Sequence, residues 1–281
     1  MKSRRIGDTT VGAIGLGGMP MSIEGRPDDE RSIRTIHAAL DAGITLIDTA
    51  DSYHIHADEV GHNEVLVARA LASYGGDRSS VLVGTKAGHL RPGDGSWTIN
   101  GSPSYIFQAC EESLKRLGVD AIDLYQYHRP DPRVPWADSI GALRDLLDAG
   151  KIRMAGVSNA NPGQILEAQD ILGGRLVSVQ NQFSPSFLSS APELSLCDSL
   201  GIAFLSWSPL GGIRRAGSLG GGFVTVADRY GVSPQRVCLA WHLAKSPVVI
   251  PIPGASRPET IADSALAVDL TLTADDLALL P

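Results

Sequence analysis

Residues 152–180 read IRMAGVSNANPGQILEAQDILGGRLVSVQ, and this stretch contains one complete strand–helix–strand unit. The runs 152–157 and 176–180 are largely apolar on both faces, which is typical of parallel strands covered by helices. Asn161 followed by Pro162 is a helix start, because Asn caps a first turn and Pro is tolerated at its first position. The stretch therefore predicts two parallel strands joined by a right-handed crossover.

The same unit recurs along the whole chain of 281 residues. Helix starts of the same kind occur at Pro27-Asp28, Ser102-Pro103 and Ser233-Pro234. No GxGxxG follows the first strand, so a closed barrel fits better than an open dinucleotide-binding sheet. We predict an α/β fold, a (β/α)8 TIM barrel, with residues 1–281 forming a single domain. The strand candidates are residues 11–16, 44–48, 81–85, 122–128, 152–157, 176–180, 203–207 and 248–250.

The composition limits the classes of partner. Lys plus Arg total 24 against 31 Asp plus Glu, a formal net charge of −7, which argues against nucleic acid. No segment approaches the ~20 apolar residues of a membrane span, and no signal peptide is evident. Cys110, Cys197 and Cys238 are too scattered for a disulfide framework. We expect a cytoplasmic protein; the pattern does not define its oligomeric state.

Four polar residues follow three consecutive strand candidates. Asp48 ends the second, Tyr53 lies just beyond it, Lys86 follows the third, and His128 ends the fourth. The carboxyl ends of neighbouring barrel strands converge on one mouth, where barrel enzymes keep their active sites. We therefore expect these four side chains to form a catalytic group.

The chemistry of these residue types favours acid catalysis. A phenol has a pKa near ~10, and a nearby ammonium such as that of Lys86 is expected to lower it. Asp48 would hold Lys86 charged and in place. A neutral His128 would orient a substrate carbonyl by hydrogen bonding, leaving Tyr53 to deliver the proton.

The chain resembles the aldo-keto reductase family over nearly its whole length. Motifs in the family's order carry the resemblance: GLGGM (15–19), IDTADSY (47–53), GTKAG (84–88), DLYQYH (123–128), AGKIRMAGVSN (149–159), SWSPLGG (206–212) and IPGAS (252–256). The resemblance implies hydride transfer from NAD(P)H to an aldehyde or ketone, with Tyr53 as the proton donor. The substrate would be a small carbonyl compound.

The resemblance also implies a cofactor site. Ser158, Asn159 and Gln180 match positions that hold the nicotinamide carboxamide, and Trp207 matches the aromatic on which the ring stacks. The helix that follows 252–256 is expected to begin with a Ser256–Glu259 capping box and to bind a phosphate through Arg257. The full set of expected cofactor residues is Gly18, Met19, Asp48, Ser158, Asn159, Gln180, Trp207, Ser208, Pro209, Leu210, Gly211, Gly212, Gly254, Ala255, Ser256, Arg257, Thr260, Asp263 and Ser264.

Departures from the family pattern concern the substrate and the cofactor phosphate. His54 replaces the usual Gly after the Tyr, and residues 55–62 look inserted, so His54 is expected either to contact substrate or to screen the catalytic Tyr53. The other expected substrate residues are Tyr53, His128 and Trp97. Trp97 lies in the stretch 88–102, which is predicted to be a flexible loop. Arg257 alone would meet a 2′-phosphate, so NADPH is favoured over NADH.

Three other functions remain open. His54, His56, Asp58 and His62 are metal-ligand types, yet later strands offer no further ligands, so a polar, solvated loop is preferred and no metal is expected. Glu64 is interpreted as a helix cap.

A nucleotide-binding regulatory subunit with little turnover is the second alternative. An NAD-dependent alcohol or sugar dehydrogenase is the third, and the substrate and the direction of the reaction stay undefined.

Overall fold

Twelve strands are found in the described part of the chain, residues 2–212 and 215–281 of a computed structural model. They are β1 (Ser3–Ile6), β2 (Thr9–Gly12), β3 (Leu16–Gly17), β4 (Leu46–Asp48), β5 (Leu82–Ala87), β6 (His89–Leu90), β7 (Thr98–Ile99), β8 (Ile122–Tyr127), β9 (Ile152–Ser158), β10 (Leu176–Gln182), β11 (Ala203–Trp207) and β12 (Val249–Pro251). Strands β3, β4, β5, β8, β9, β10, β11 and β12 pair in parallel in chain order. The sheet closes because the Gly15 and Gly17 amides donate to the Pro251 and Pro253 carbonyls, each at 3.0 Å. The predicted (β/α)8 barrel is confirmed.

Helices follow the barrel strands and cover the sheet. They are α1 (Asp29–Asp41), α2 (His62–Ser73), α3 (Pro103–Leu117), α4 (Trp136–Asp148), α5 (Pro162–Ile171), α6 (Ala191–Leu200), α7 (Gly221–Tyr230), α8 (Pro234–Lys245), α9 (Pro258–Ala265) and α10 (Ala274–Leu277), with 3₁₀ turns at Met19–Met21, Ala57–Glu59 and Leu266–Asp269. The side chains of Asp28, Ser102, Asn161 and Ser233 accept first-turn amide protons, as their sequence pattern predicts. None of the described helices combines the length and apolarity needed to cross a membrane.

The first predicted strand, 11–16, is wrong. Residues of this run divide between β2, which pairs antiparallel with β1, and the two-residue barrel strand β3. Gly7 adopts a φ of +55° in the turn between β1 and β2, a conformation that favours glycine. The run 11–16 is apolar enough for a buried barrel strand. Its first residues, however, belong to β2 and are buried as part of the β1–β2 hairpin.

The hairpin of β1 and β2 helps to fill the barrel interior. Ile6 and Val11 pack in one buried cluster with inward-facing aliphatic side chains of the barrel strands, among them Leu46, Leu124 and Ile250. A separate, larger cluster lies between the sheet and the helices. The interior is therefore a packed core, so the open space lies at the mouth.

Two further local expectations differ from the structure. Residues 88–102, predicted to be a flexible loop, contain the short antiparallel pair β6–β7, and residues 91–97 between the two strands are irregular. The Ser256–Glu259 capping box does not form, because Arg257 is the N-cap of α9 and provides no side-chain cap. Of the glycine-rich stretch 211–222, residues 213–214 lie outside the described part of the chain.

We expect Leu124→Ala to lower the free energy of unfolding by about 2–5 kcal/mol, because Leu124 is fully buried in the interior cluster and its truncation leaves a cavity. Chemical denaturation followed by circular dichroism measures the change. Leu166→Ala is the matched control: Leu166 is 51% exposed, and its truncation should cost less than about 0.5 kcal/mol. Equal losses in the two variants would contradict the packed interior.

Candidate active site

The barrel brings the four expected catalytic side chains to one mouth. Asp48 is the last residue of β4, Lys86 lies near the end of β5, and His128 directly follows β8. Tyr53 lies in the turn after β4, with its ring edge-on to His128 at a centroid distance of 5.8 Å. All four are buried, and Lys86 is fully so.

Lys86 is the centre of the group. Its Nζ donates to Asp48 Oδ2 at 2.7 Å, to the Thr49 carbonyl at 2.8 Å and to Tyr53 Oη at 3.2 Å. The other carboxylate oxygen of Asp48 accepts from Gln180 Nε2 at 2.7 Å. Both charges of this buried ion pair are therefore hydrogen-bonded in full, which is the condition under which such a pair is tolerated.

The pKa directions define the protonation states. Burial raises the pKa of Tyr53 above its usual value and outweighs the charge of Lys86, which acts in the opposite direction. The expectation that Lys86 lowers the pKa of Tyr53 is therefore wrong for the protein without a bound ligand. The phenol of Tyr53 holds its proton at neutral pH. Burial also opposes the charged form of Lys86, but Asp48 and Tyr53 outweigh it and raise its pKa.

His128 is neutral. Burial, followed by the charge of Lys86, lowers the pKa of His128 well below its usual range. Its Nδ1 is buried without a hydrogen-bond partner among the described residues. The arrangement thus combines a protonated phenol, a neutral imidazole and a charged ammonium within one buried site, a set suited to protonating an oxygen bound between Tyr53 and His128.

Polar residues of β9 and β10 continue the site. Ser158 Oγ donates to the Gln180 carbonyl at 2.7 Å, and Asn159 Nδ2 donates to the His128 carbonyl at 3.0 Å. Asn159, after β9, has a φ of +56°, and Ser208, after β11, has a φ of +50°. Left-handed backbone at residues other than Gly is often kept where function requires it.

A cavity of about 210 Å³ opens at this mouth. Eleven of the expected cofactor residues line it: Met19, Asp48, Ser158, Asn159, Gln180, Trp207, Ser208, Pro209, Leu210, Gly212 and Gly254. Tyr53, His128 and Trp97, three of the four expected substrate residues, also line it. Of the four expected catalytic residues, Asp48, Tyr53 and His128 therefore share this cavity, whereas Lys86 does not line it and reaches it through its hydrogen bond to Tyr53.

Sequence reasoning missed seven lining residues: Gly17, Pro20, His89, Arg129, Ala216, Ile252 and Pro253. A signal for two of them was present, because His89 and Arg129 come two residues after the ends of the third and fourth barrel strands, β5 and β8. These are positions that the barrel directs toward its mouth.

A wall closes one side of the cavity. We define this wall as His89, Trp97 and Arg91 of the β6–β7 hairpin segment; His89 and Trp97 line the cavity, and Arg91 packs on Trp97. His89 stacks on Trp97 at 4.5 Å and meets His128 edge-on at 5.0 Å. The guanidinium of Arg91 lies 4.8 Å from the Trp97 ring centroid and forms an ion pair with Glu24. The wall is therefore attached both to the catalytic group and to the loop that follows β3.

His54, the fourth expected substrate residue, does not line the cavity. Its ring is buried, its Nδ1 is 2.8 Å from the His56 carbonyl, and its own carbonyl accepts from Arg91. The preference for a solvated loop is therefore wrong at His54. Among the residues that the structure describes, no group of three or more His, Cys, Asp or Glu is arranged to hold a metal ion.

The interpretation of Glu64 as a helix cap is also wrong. Glu64 is fully buried in the first turn of α2, where it accepts from Thr85 Oγ1 at 2.5 Å and from Arg116 Nε at 2.6 Å. Its carboxylate therefore joins α2 to β5 and α3, behind the catalytic group.

Of the expected adenine end, Gly254 lines the cavity and the other residues lie outside it, as do two further expected cofactor residues. The residues not lining it are Gly18, Gly211, Ala255, Ser256, Arg257, Thr260, Asp263 and Ser264. Arg257 is exposed at the amino end of α9, whereas Asp263 is already bound to Arg236 in an ion pair. The exposed guanidinium is thus accessible to a ligand, and the Asp263 carboxylate is engaged within the protein.

Comparison with known proteins defines the family. The model of the aldo/keto reductase family matches residues 13–280. The chain is 34% identical over 280 residues to an uncharacterized oxidoreductase of Schizosaccharomyces pombe, covering 98% of this chain and 87% of that one. It is also 34% identical to the 6-dehydroglucose reductase of Novosphingobium aromaticivorans over 253 residues, covering 86% and 82% of the two chains.

The fold agrees with this match. An aldo-keto reductase of Klebsiella pneumoniae solved with NADPH superposes with a TM-score of 0.81 at 27% identity, covering 99% of this chain and 93% of that one. The chain therefore belongs to the aldo/keto reductase family. It is an NAD(P)H-dependent oxidoreductase that acts on small carbonyl compounds.

We expect His89→Gln to make stability less dependent on pH between 6.5 and 4. Burial, with a smaller contribution from Arg129, lowers the pKa of His89 from 6.5 to about 4. A group whose pKa is lower in the folded state stabilises the fold above pH 6.5, and this contribution is lost as the pH falls toward 4. Denaturant titrations at several pH values measure the slope. Leu166→Ala, which removes no titratable group and lies at an exposed position, is the control and should keep the wild-type slope; an unchanged slope in His89→Gln would contradict the burial of His89.

Proposed function

We propose that the protein reduces an aldehyde or ketone to the alcohol with NADPH, and that Tyr53 Oη donates the proton. The observation that carries the proposal is the position of Lys86 Nζ, within hydrogen-bonding distance of both Asp48 and the Tyr53 hydroxyl, opposite a neutral His128. When bound, NADPH supplies the hydride.

The side chains then act on the substrate oxygen. The neutral imidazole of His128 orients the carbonyl between itself and the phenol. As the hydride adds to the carbonyl carbon, the π electron pair moves to oxygen, and this oxygen takes the proton of Tyr53. The charged Lys86 stabilises the resulting phenolate, and Asp48 keeps Lys86 charged. Asp48, Tyr53, Lys86 and His128 are thus the proposed catalytic residues.

The cavity fits a nicotinamide cofactor. The indole Nε1 of Trp207, which lines the cavity, is buried without a partner among the described residues, so a hydrogen-bond donor remains free at the site. We propose that Ser158, Asn159 and Gln180 hold the carboxamide and that Trp207 packs against the ring. The remaining proposed contacts are Gly18, Met19, Ser208, Pro209, Leu210, Gly211 and Gly212, with Gly254, Ala255, Ser256, Arg257, Thr260, Asp263 and Ser264 toward the adenine.

Preference for NADPH over NADH is supported by the exposed Arg257 at the amino end of α9, where backbone amides and a guanidinium both favour a phosphate. The NADPH complex of the Klebsiella pneumoniae relative agrees with this preference. We propose further that Tyr53, His128 and Trp97 contact the substrate and that His54 acts by supporting Arg91 of the wall.

Two broader expectations remain part of the proposal. We propose that residues 1–281 form one domain, which is supported by the family match over residues 13–280. We also propose a cytoplasmic location, which is supported by Cys110, Cys197 and Cys238 being free and buried.

We expect Tyr53→Phe to lower kcat by about 100-fold or more, because general acid catalysis contributes about 10²–10⁴. Binding of NADPH, followed by quenching of tryptophan fluorescence, should stay close to wild type. Tyr74→Phe is the control, since the Tyr74 hydroxyl bonds Asp41 at the surface, and its activity should be unchanged. Wild-type activity in Tyr53→Phe would refute the proton-donor role. Tight NADPH binding without turnover by the wild-type protein would indicate a regulatory subunit.

We expect Arg257→Ala to raise the KM for NADPH by about tenfold while leaving the KM for NADH within about twofold, because only NADPH carries the 2′-phosphate. Steady-state kinetics with each cofactor measures the two values. Arg144→Ala, which removes another exposed guanidinium, is the control. An equal change in the KM for NADPH and for NADH would refute the binding of the 2′-phosphate by Arg257. A preference of the wild-type protein for NADH would indicate a dehydrogenase.

A further inference from the structure

Among the described residues that line the cavity, Arg129 is the one whose charge is not neutralised by an ion pair. It follows His128 after the end of β8 and lines the cavity beside it. Of these described lining residues, only Asp48 and Arg129 are Asp, Glu, Lys or Arg, and Asp48 is neutralised by Lys86. The described part of the chain offers no carboxylate within 4.0 Å of Arg129, and its Nε is buried without a partner.

Three other arginines near the mouth differ from Arg129 in being paired with a carboxylate. Arg91 pairs with Glu24, Arg26 with Glu59, and Arg133 with Asp131. The guanidiniums of these three arginines are paired with carboxylates, and the ion pairs hold loops together. An arginine whose Nε has lost its water without gaining a protein partner is expected to cost free energy unless a ligand completes its hydrogen bonds.

The neighbours of Arg129 are neutral. After burial, the charge of Arg129 contributes to lowering the pKa of His89 to about 4, and it acts on His128 in the same direction. Both imidazoles are therefore uncharged at neutral pH, so they do not repel the guanidinium of Arg129 beside them. The part of the cavity around these side chains consequently carries a net positive charge, although the whole chain is acidic.

The position of Arg129 separates it from the proposed cofactor phosphates. We propose that Ser208–Gly212, which follow β11, lie along the cofactor pyrophosphate, and the proposed adenine contacts follow β12, whereas Arg129 follows β8. Strands β9 and β10 lie between them in the sheet. Arg129 is instead next to His128, the residue proposed to orient the carbonyl, so a group bound to its guanidinium belongs to the substrate.

We propose that Arg129 binds an anionic group of the carbonyl substrate, a carboxylate or a phosphate, and so selects anionic aldehydes and ketones over neutral ones. This inference rests on the proposed reductase function. A guanidinium matches both anions because its planar fork donates two parallel hydrogen bonds to adjacent oxygens. The contact would fix the substrate at one end while His128 and Tyr53 engage its carbonyl.

Two matched pairs of substrates test the charge. Steady-state reduction with NADPH compares 4-oxobutanoate with butanal, and glyceraldehyde 3-phosphate with glyceraldehyde. We expect the wild-type protein to have a KM at least about tenfold lower for the charged member of one pair or both, the size expected of a charge-assisted hydrogen bond. This preference should weaken as ionic strength rises. The pair that responds identifies the anion as carboxylate or phosphate.

Variants of Arg129 then assign the preference. Arg129→Gln should raise the KM for the charged substrate by about tenfold or more, with kcat for the neutral aldehyde and KM for NADPH within about twofold. Arg129→Lys should recover part of the loss, since it keeps the charge but not the fork. Arg133→Gln removes a charge from the same loop outside the cavity and should leave the preference intact.

Distinct results overturn the two proposals. Reduction of the neutral aldehydes without any preference for the charged ones would overturn the role of Arg129 and leave the reductase function standing. An equal KM increase for both members of a pair, or an increase for NADPH alone, would also overturn it. Failure to reduce any of the four compounds would count against the reductase function and the inference together.

Discussion

The buried ion pair between Lys86 and Asp48 is the interaction on which the site depends. Removing one partner from such a pair leaves an uncompensated buried charge and costs about 3–5 kcal/mol. Here the pair is held by further hydrogen bonds from Gln180 to Asp48 and from Lys86 to Tyr53. The same contacts that make the charges tolerable also position the phenol. Stability and chemistry therefore rest on the same few atoms, which limits substitution at any of them.

The barrel supplies what the ion pair requires. Its interior is filled by aliphatic side chains and by the β1–β2 hairpin, so water is excluded from beneath Lys86. Behind the catalytic group, the carboxylate of Glu64 binds Thr85 and Arg116 and so joins the strand to the helices. A rigid base of this kind keeps the strand ends in register, which a catalytic group spread over separate strands needs.

The mouth is less regular than the base and contains the features that distinguish this chain. The wall of His89, Trp97 and Arg91 contacts His128 through His89. Arg129 adds a positive charge to a cavity whose other described lining residues are neutral or paired. In the proposed mechanism, residues at or just beyond the strand ends set the catalytic geometry, and the segments that follow the strands select the substrate. This division explains how one fold supports reductases of different substrates.

The sequence by itself determined the strand–helix repeat, several helix caps and the four polar strand-end residues, because periodicity, capping and strand-end position are local properties. It did not separate the β1–β2 hairpin from the first barrel strand, since an apolar run is compatible with either pairing. The contact between Gln180 and Asp48 joins residues 132 positions apart, and the stack of His89 on Trp97 needs the hairpin to fold. Only the tertiary structure decided these features, together with the raised pKa of Tyr53 and the free charge of Arg129, because burial and pairing depend on residues distant in the chain.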